Sequence, residues 1–438
     1  MKVIQIRSGS VAKLVRRFQE SVSFSLETAT VVRPVLEAVR ENGDDAVLSF
    51  TEKFDGVQLK PSQLVVSKSE MESGWKNISG EERKAIRHAI RSIKEYHKKC
   101  LPSAWSQRNS DGLTVGERFY PLRRVGLYVP GGQVPLVSTV LMTAVPAAVA
   151  GVREMVLCSP PQKDGAISDG LLAAFHALGL DEVYRVGGAQ AIGAMAYGTK
   201  TIPSVDMIAG PGNAYVMEAK RQVFGQVGVD LLPGPSEVMV IADEGANPDW
   251  VATDLLSQAE HGTGKEKLYL AVPSRDFWGK VKSSMQRQQN NIQNSDTVGK
   301  IVKDRFLIGV YENQEALVDY ANIVGPEHLE LQVASDRVAG LTREITTAGA
   351  ILQGYQTPTV LGDFVAGPSH TLPTDGTGRF SGGLQAIDFM RRSSFVRSTA
   401  KANRAVLPSV EAFAEMESLP IHADSLRCRV DRGAEDAR

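Results

Sequence analysis

From residue 124 onward, short apolar runs alternate with stretches of helical periodicity, and this alternation limits what the chain can become. Strands are expected at 125–129, 154–158, 182–186, 205–208, 238–241, 267–272, 305–310 and 350–352. Between the first five, helices are expected near 137–150, 167–178, 189–197 and 213–224. Parallel strands need a crossover, and a crossover helix covers the sheet it leaves, so the pattern predicts right-handed βαβ units and parallel sheets buried on both faces. The fold class is α/β. Ahead of this region, residues 8–97 read as helical and mixed in charge, with Ile86, Ile90 and Ile93 on one apolar face. His88 and His97 lie there among Lys and Arg, and a solvent-exposed surface role is expected for both.

In open parallel sheets ligands bind beyond the carboxyl ends of strands. Four such places carry glycines with polar residues: Tyr128-Val129-Pro130-Gly131-Gly132, Gly187-Gly188-Ala189-Gln190, Gly210-Pro211-Gly212-Asn213 and Gly234-Pro235-Ser236-Glu237. Glycine lets a backbone approach a ligand closely, and a helix N-terminus favours phosphate, which suits a dinucleotide; any one turn alone reads more readily as a tight βα connection. Neither the GxGxxG fingerprint nor the GxxxxGK[ST] phosphate loop is present, and the latter absence disfavours a nucleotide triphosphatase.

Residues 234–262 read as a buried strand, a turn, and a helix opened by Asn247 as N-cap and Pro248, and closed at Gly262. Val251, Leu255, Leu256 and Ala259 form its apolar stripe, while Gln258 and His261, three residues apart, project from one face. Such a pair can supply two ligands to a borderline divalent metal, or be a solvated glutamine and a histidine at a helix C-terminus. Other candidate chemistry follows it. Glu327-His328 sets an acid beside an imidazole after Gly325-Pro326; Asp363 and His370 share a glycine-rich loop; Glu417 and His422 stand near the C-terminus. Of seven histidines, His261, His328, His370 and His422 lie in polar, turn-rich settings, whereas His176 reads as a structural residue.

Charge and composition exclude several classes. With 49 basic and 50 acidic residues among 438, nothing favours nucleic acid or an anionic membrane as partner. The longest apolar run, 136–152, is too short for a span and is interrupted by Pro146, and the first residues lack the apolar core of a signal peptide. Three cysteines, far apart and odd in number, fit a reducing cytoplasm and leave any metal to N and O ligands.

The stretches VGLYVPGG, PLVSTVLMTAVPAAVAGV, VGGAQAIGAMAYGT, AGPGNAYVMEAKRQVFG, GPSEVMVIAD, DLLSQAEHG, VGPEHLELQ, LGDFVAGPSHTLPT and ESLPIH resemble, in order, those of the histidinol dehydrogenase family, over about 124–430. The resemblance implies two Rossmann-like parallel-sheet domains, a helical N-terminal segment over 1–24 and a C-terminal tail domain over 385–438. A metal-binding and catalytic domain would take 25–128 and 237–384, and an NAD domain 129–236. It implies a homodimer with one Zn2+ per subunit that oxidises L-histidinol to L-histidine through the aldehyde, reducing two NAD. Carried over by motif, Gln258, His261, Asp363 and His422 would be metal ligands, and Glu327 and His328 catalytic. Tyr128, Gln190 and Asn213 would contact NAD. Ser236, His370 and Glu417 would hold substrate alongside the metal ligands and His328, and the resemblance places the tail in the neighbouring subunit's site. Two other readings stay open: a related NAD-dependent dehydrogenase of another polar amino alcohol or diol, and, from a different class, a zinc hydrolase, which would not bind NAD. A non-catalytic scaffold would leave the clustered histidines and acids unexplained.

Overall fold

A computed structural model describes every residue except 8–10, 20–25, 132–134, 262, 290–291, 293–294 and 433–438. The chain divides into two compact units, one of Met1–Cys100 with Leu122–Phe389 and one of Leu101–Pro121 with Met390–Arg438. The strands are β1 (Lys2–Ile6), β2 (Trp105–Arg108), β3 (Thr114–Pro121), β4 (Arg124–Tyr128), β5 (Glu154–Ser159), β6 (Glu182–Arg185) and β7 (Met207–Ala209), then β8 (Gly228–Val229), β9 (Glu237–Ala242), β10 (Lys267–Val272), β11 (Phe306–Tyr311), β12 (His328–Gln332), β13 (Ala350–Gln353) and β14 (Met390–Arg397). In the first unit they form two parallel sheets, ordered β1-β11-β10-β9-β12-β13 and β6-β5-β4-β7-β8.

Both faces of the six-stranded sheet are covered, as the near-continuous apolar runs of β9, β10 and β11 require. Successive residues of a strand point to opposite faces. Accordingly Val238 and Val240 pack with Val251, Leu255 and Leu256 of the helix Pro248–Ala259, while Met239 and Ile241 pack with Leu317, Tyr320 and Val324 of the helix Gln314–Val324. Helices from the first hundred residues close the five-stranded sheet: Val32, Val35, Leu36 and Val39 share a core with Val156, Ile192 and Val216. In the second unit β14, β3 and β2 are antiparallel, and of the residues 385–438 expected as a tail, Met390–Arg438 share that unit with Leu101–Pro121 while 385–389 belong to the first unit. Among the described residues no helix is long and apolar enough to cross a membrane.

All eight expected strands and all four expected helices occur, with ends shifted by no more than a few residues. Strands β1, β2, β3, β8, β12 and β14 have no counterpart among the expected ones. Two histidines differ from expectation. His176 is exposed against Trp75. His97 is fully buried, because it continues the Ile86, Ile90 and Ile93 stripe one further turn of the helix Gly80–Lys99.

Candidate active site

The loop leaving β9 turns back through a helix, which returns the chain to the edge of the sheet where the strand began. That helix, Pro248–Ala259, opens as expected: the Asn247 side chain accepts from the Asp249 N–H at 2.8 Å and Pro248 occupies the first turn. Its far end carries Gln258, which is buried with Nε2 unpaired. The helix stops at Ala259 with Glu260 as its cap, and His261 lies exposed in the turn beyond, its N–H reaching the Gln258 carbonyl at 3.4 Å. His261 thus stands just beyond the helix that carries Gln258 rather than on it. Gly262, expected to close the helix, lies outside the described residues.

Three charged or titratable residues begin the central strands at that same edge: Glu237 of β9, Lys267 of β10 and His328 of β12. The chemistry therefore stands at the amino ends of this sheet, although ligands were expected beyond carboxyl ends. Gly234-Pro235-Ser236 enters β9 rather than leaving a strand, and the half-buried Ser236 accepts the Lys267 N–H through its carbonyl at 3.1 Å.

Glu327 and His328 are both buried. Adjacent residues of an extended chain diverge, but Glu327 precedes β12, after Gly325 in the left-handed region at φ 54°. Its Oε2 accepts the Glu237 N–H at 2.8 Å, and its Oε1 comes within 3.9 Å of His328 Nε2. The same Nε2 stands 3.7 Å from Asp363 Oδ1, at the end of the short helix Thr359–Phe364. His370 is half-buried, with Nδ1 3.1 Å from the Asp363 carbonyl and Nε2 3.2 Å from Thr139 Oγ1.

Burial governs the protonation of this cluster. It lowers His328 to about 3 and His370 to about 4, so both imidazoles are neutral at physiological pH. It raises the Glu327 carboxyl well above the ordinary range, against the pull of Lys267, and lifts Asp363 to about 6, with His261 opposing. Glu237 rises to about 7 through burial, opposed by Lys267, whose ammonium is buried and paired with Asp375. Neither Glu237 nor Lys267 was singled out from the sequence. A charge opening an otherwise apolar buried strand was the available signal.

The residues expected to meet NAD stand at carboxyl ends in the five-stranded sheet. Tyr128 ends β4, buried, its hydroxyl accepting the Gly188 N–H at 3.2 Å. Gln190 lies fully buried in the first turn of the helix Gly188–Tyr197, and neither amide atom has a partner. Asn213 is exposed and caps the helix Ala214–Val223, accepting from the Tyr215 and Val216 N–H groups at 3.0 and 3.1 Å. The turn ahead of it requires glycine: a Cβ on Gly210, at φ 116°, would lie 2.1 Å from the Tyr128 carbonyl oxygen. The buried Lys220 and Asp230 hold the two polar groups of Gly210, at 2.9 Å to its carbonyl and 2.8 Å from its N–H. Gly132 of the first glycine turn falls outside the described residues.

Glu417 and His422 belong to the second unit and are exposed, Glu417 capping the helix Ala400–Met416 and His422 lying on Pro420–Arg432. Among the described residues no three His, Cys, Asp or Glu side chains already surround a metal-sized point. Of the four expected ligands, Gln258 is an amide and His422 is in the other unit, which leaves His261 and Asp363. The donor set still fits a borderline divalent ion, since it is wholly N and O: two imidazoles, a carboxylate and the carbonyl oxygen of the buried Gln258 amide.

The fold and this edge define a class: an α/β enzyme with two parallel sheets, an acid and imidazole cluster on one and glycine-rich turns on the other. The chain belongs to the histidinol dehydrogenase family, whose signature, described as "Histidinol dehydrogenase", matches residues 18–430. It is 44% identical over 408 residues to histidinol dehydrogenase 2 of Nostoc sp., covering 93% of each chain. It is 41% identical over 433 residues to the histidinol dehydrogenase of Geobacillus kaustophilus, covering 99% of this chain and 100% of that one. The crystal structure of histidinol dehydrogenase from Elizabethkingia anophelis superposes with a TM-score of 0.93 at 32% identity, over 99% of this chain and 98% of that one.

Proposed function

We propose that this chain carries out the two NAD-linked oxidations that convert L-histidinol, through L-histidinal, into L-histidine, the closing steps of histidine biosynthesis. The observation that carries this reading is the cluster of buried Glu327 and His328 with the half-buried Asp363, His328 Nε2 standing 3.9 and 3.7 Å from the two carboxylates. Family membership supports the substrate. Gln258, His261 and Asp363, with His422 of the partner subunit, would hold one Zn2+ per site; Tyr128, Gln190 and Asn213 would hold NAD. When bound, the ion would orient the substrate's amino and imidazole nitrogens, and NAD would take up a hydride in each step.

What remains is proton traffic, which falls to this chain's own residues. His328, neutral through burial, takes the hydroxyl proton as alcohol becomes aldehyde. The second oxidation needs the hydrated aldehyde, and Glu327 is the base for the water that adds. Burial makes ionised Glu327 a stronger base than an exposed carboxylate, while Lys267 favours that ionised form. Ser236 and His370, with Glu417 of the partner subunit, would hold the substrate. The corresponding regions are 1–24 as N-terminal segment, 25–128 with 237–384 for metal and catalysis, 129–236 for NAD, and 385–438 as a tail exchanged in a homodimer.

The test is NADH formation with L-histidinol against a panel of other amino alcohols, before and after chelation. L-Histidinol should be oxidised in preference. Verifiably metal-free protein should keep its far-UV circular dichroism and lose turnover, because the ligands hang on an already large core, and Zn2+ should restore it. Full activity in metal-free protein would contradict the metal assignment.

A further inference from the structure

Beneath the proposed metal ligands lies a second polar layer that the reaction itself does not use. On β12, His328, Glu330 and Gln332 point to one face, because side chains alternate along a strand. It is the face covered by the helix Pro248–Ala259, since Leu329, Leu331 and Val333 belong to the core of the opposite face. The helix answers with Asp254 and Gln258, one turn apart, and the short helix Thr359–Phe364 with Thr359 and Asp363, also one turn apart. The outer members, His328, Gln258 and Asp363, form the site. The inner members, Glu330, Asp254 and Thr359, are joined to one another.

Glu330, which is fully buried, makes the joints. Its Oε1 accepts from the Thr359 N–H at 2.6 Å and the Thr359 hydroxyl at 2.7 Å. Its Oε2 accepts from Gln332 Nε2 at 3.1 Å, and that same nitrogen donates to Asp254 Oδ2 at 2.7 Å. Pro358, in the cap position of the short helix, makes no side-chain capping bond, so the carboxylate from the neighbouring strand takes the cap's place. A six-residue helix has little stability of its own, and an anchored first residue sets where Asp363 stands at its other end.

We propose that Glu330 is a positioning residue for the metal centre, tying Thr359, and through Gln332 Asp254, into one frame that fixes Asp363 and Gln258 relative to His328. The proposal rests on the reading that Gln258, His261 and Asp363 ligate a divalent ion. Second-layer hydrogen bonds of this kind hold ligands in place and their loss typically costs about 10–100-fold in metal affinity.

The experiment measures Zn2+ affinity by chelator competition on metal-free protein, together with the thermal midpoint of that protein. Glu330→Ala should weaken Zn2+ binding about 10–100-fold. Glu330→Gln should retain most of the affinity, because an amide oxygen still accepts both Thr359 donors. Thr359→Val, which removes the hydroxyl but keeps the N–H, should weaken binding to a smaller extent with the midpoint little changed; it decides the matter if Glu330→Ala does not fold. Wild-type Zn2+ affinity in Glu330→Ala, even with a lowered midpoint, would show a structural role only and overturn the proposal. So would equal losses in the Ala and Gln variants, or an unaltered Thr359→Val should the alanine protein not fold. If the unsubstituted protein binds no Zn2+, the reading of the metal site fails and this proposal falls with it, an outcome distinct from all the others.

Discussion

Glu327 and His328 are neighbours in sequence with different surroundings, and their variants should separate the two half-reactions. Glu327 is tied to the Glu237 N–H, whereas His328 has Nδ1 unpaired and Nε2 between two carboxyl groups. His328→Asn is expected to slow both oxidations, and Glu327→Gln to slow the aldehyde step more than the alcohol step, by about 10²–10⁴-fold for loss of a general base. Feeding alcohol and aldehyde separately checks this; equal losses in both steps for Glu327→Gln would remove its special role. At this scale the sequence was informative where a motif set unusual residues side by side. It assigned no role to Glu237, Lys267 or Glu330, charged residues that open or interrupt buried strands and acquire a role only when the parallel register sets β9, β10 and β12 side by side.

The elements were legible wherever periodicity was unbroken. Strand β12 was missed because Glu330 and Gln332 interrupt its apolar run, and they do so because that face meets polar residues of two helices. Strand β1 was missed because five residues at an edge, paired with β11, carry little pattern. His261 was placed on the helix because sequence cannot tell a last helical turn from the turn after it. The helix Gly80–Lys99 offers a prediction of its own. His97 is buried with neither ring nitrogen paired, and burial lowers its proton affinity from an ordinary 6.5 to about 4. The unfolded chain therefore binds this proton more tightly, so stability is full above pH 6.5 and falls as pH drops toward 4. Relative to His97→Phe, the native protein should lose about 2 kcal/mol between pH 7.5 and pH 5. Urea unfolding at the two pH values measures it, and identical pH dependence in both proteins would be the contrary result.

Across the whole molecule, alternating strands and helices made the α/β class legible, but not the edge on which the site would form. Helices that follow parallel strands carry Gln258 and Asp363 back to the amino ends, while three of the four glycine turns sit at carboxyl ends of the other sheet. The proposed exchange of the C-terminal tail gives a test at this scale. Mixing His261→Asn and His422→Asn proteins and letting subunits exchange should restore about a quarter of native activity if sites are shared, because half the dimers are mixed and each has one intact site. No recovery, with exchange confirmed, would assign each His422 to its own chain.

Two oxidations at one site is the central claim, and stoichiometry tests it most directly. With L-histidinol limiting and NAD in excess, the account predicts two NADH formed for each L-histidinol consumed, with L-histidine as the product. One NADH with aldehyde accumulating, or turnover of L-histidinol without NAD, would contradict it.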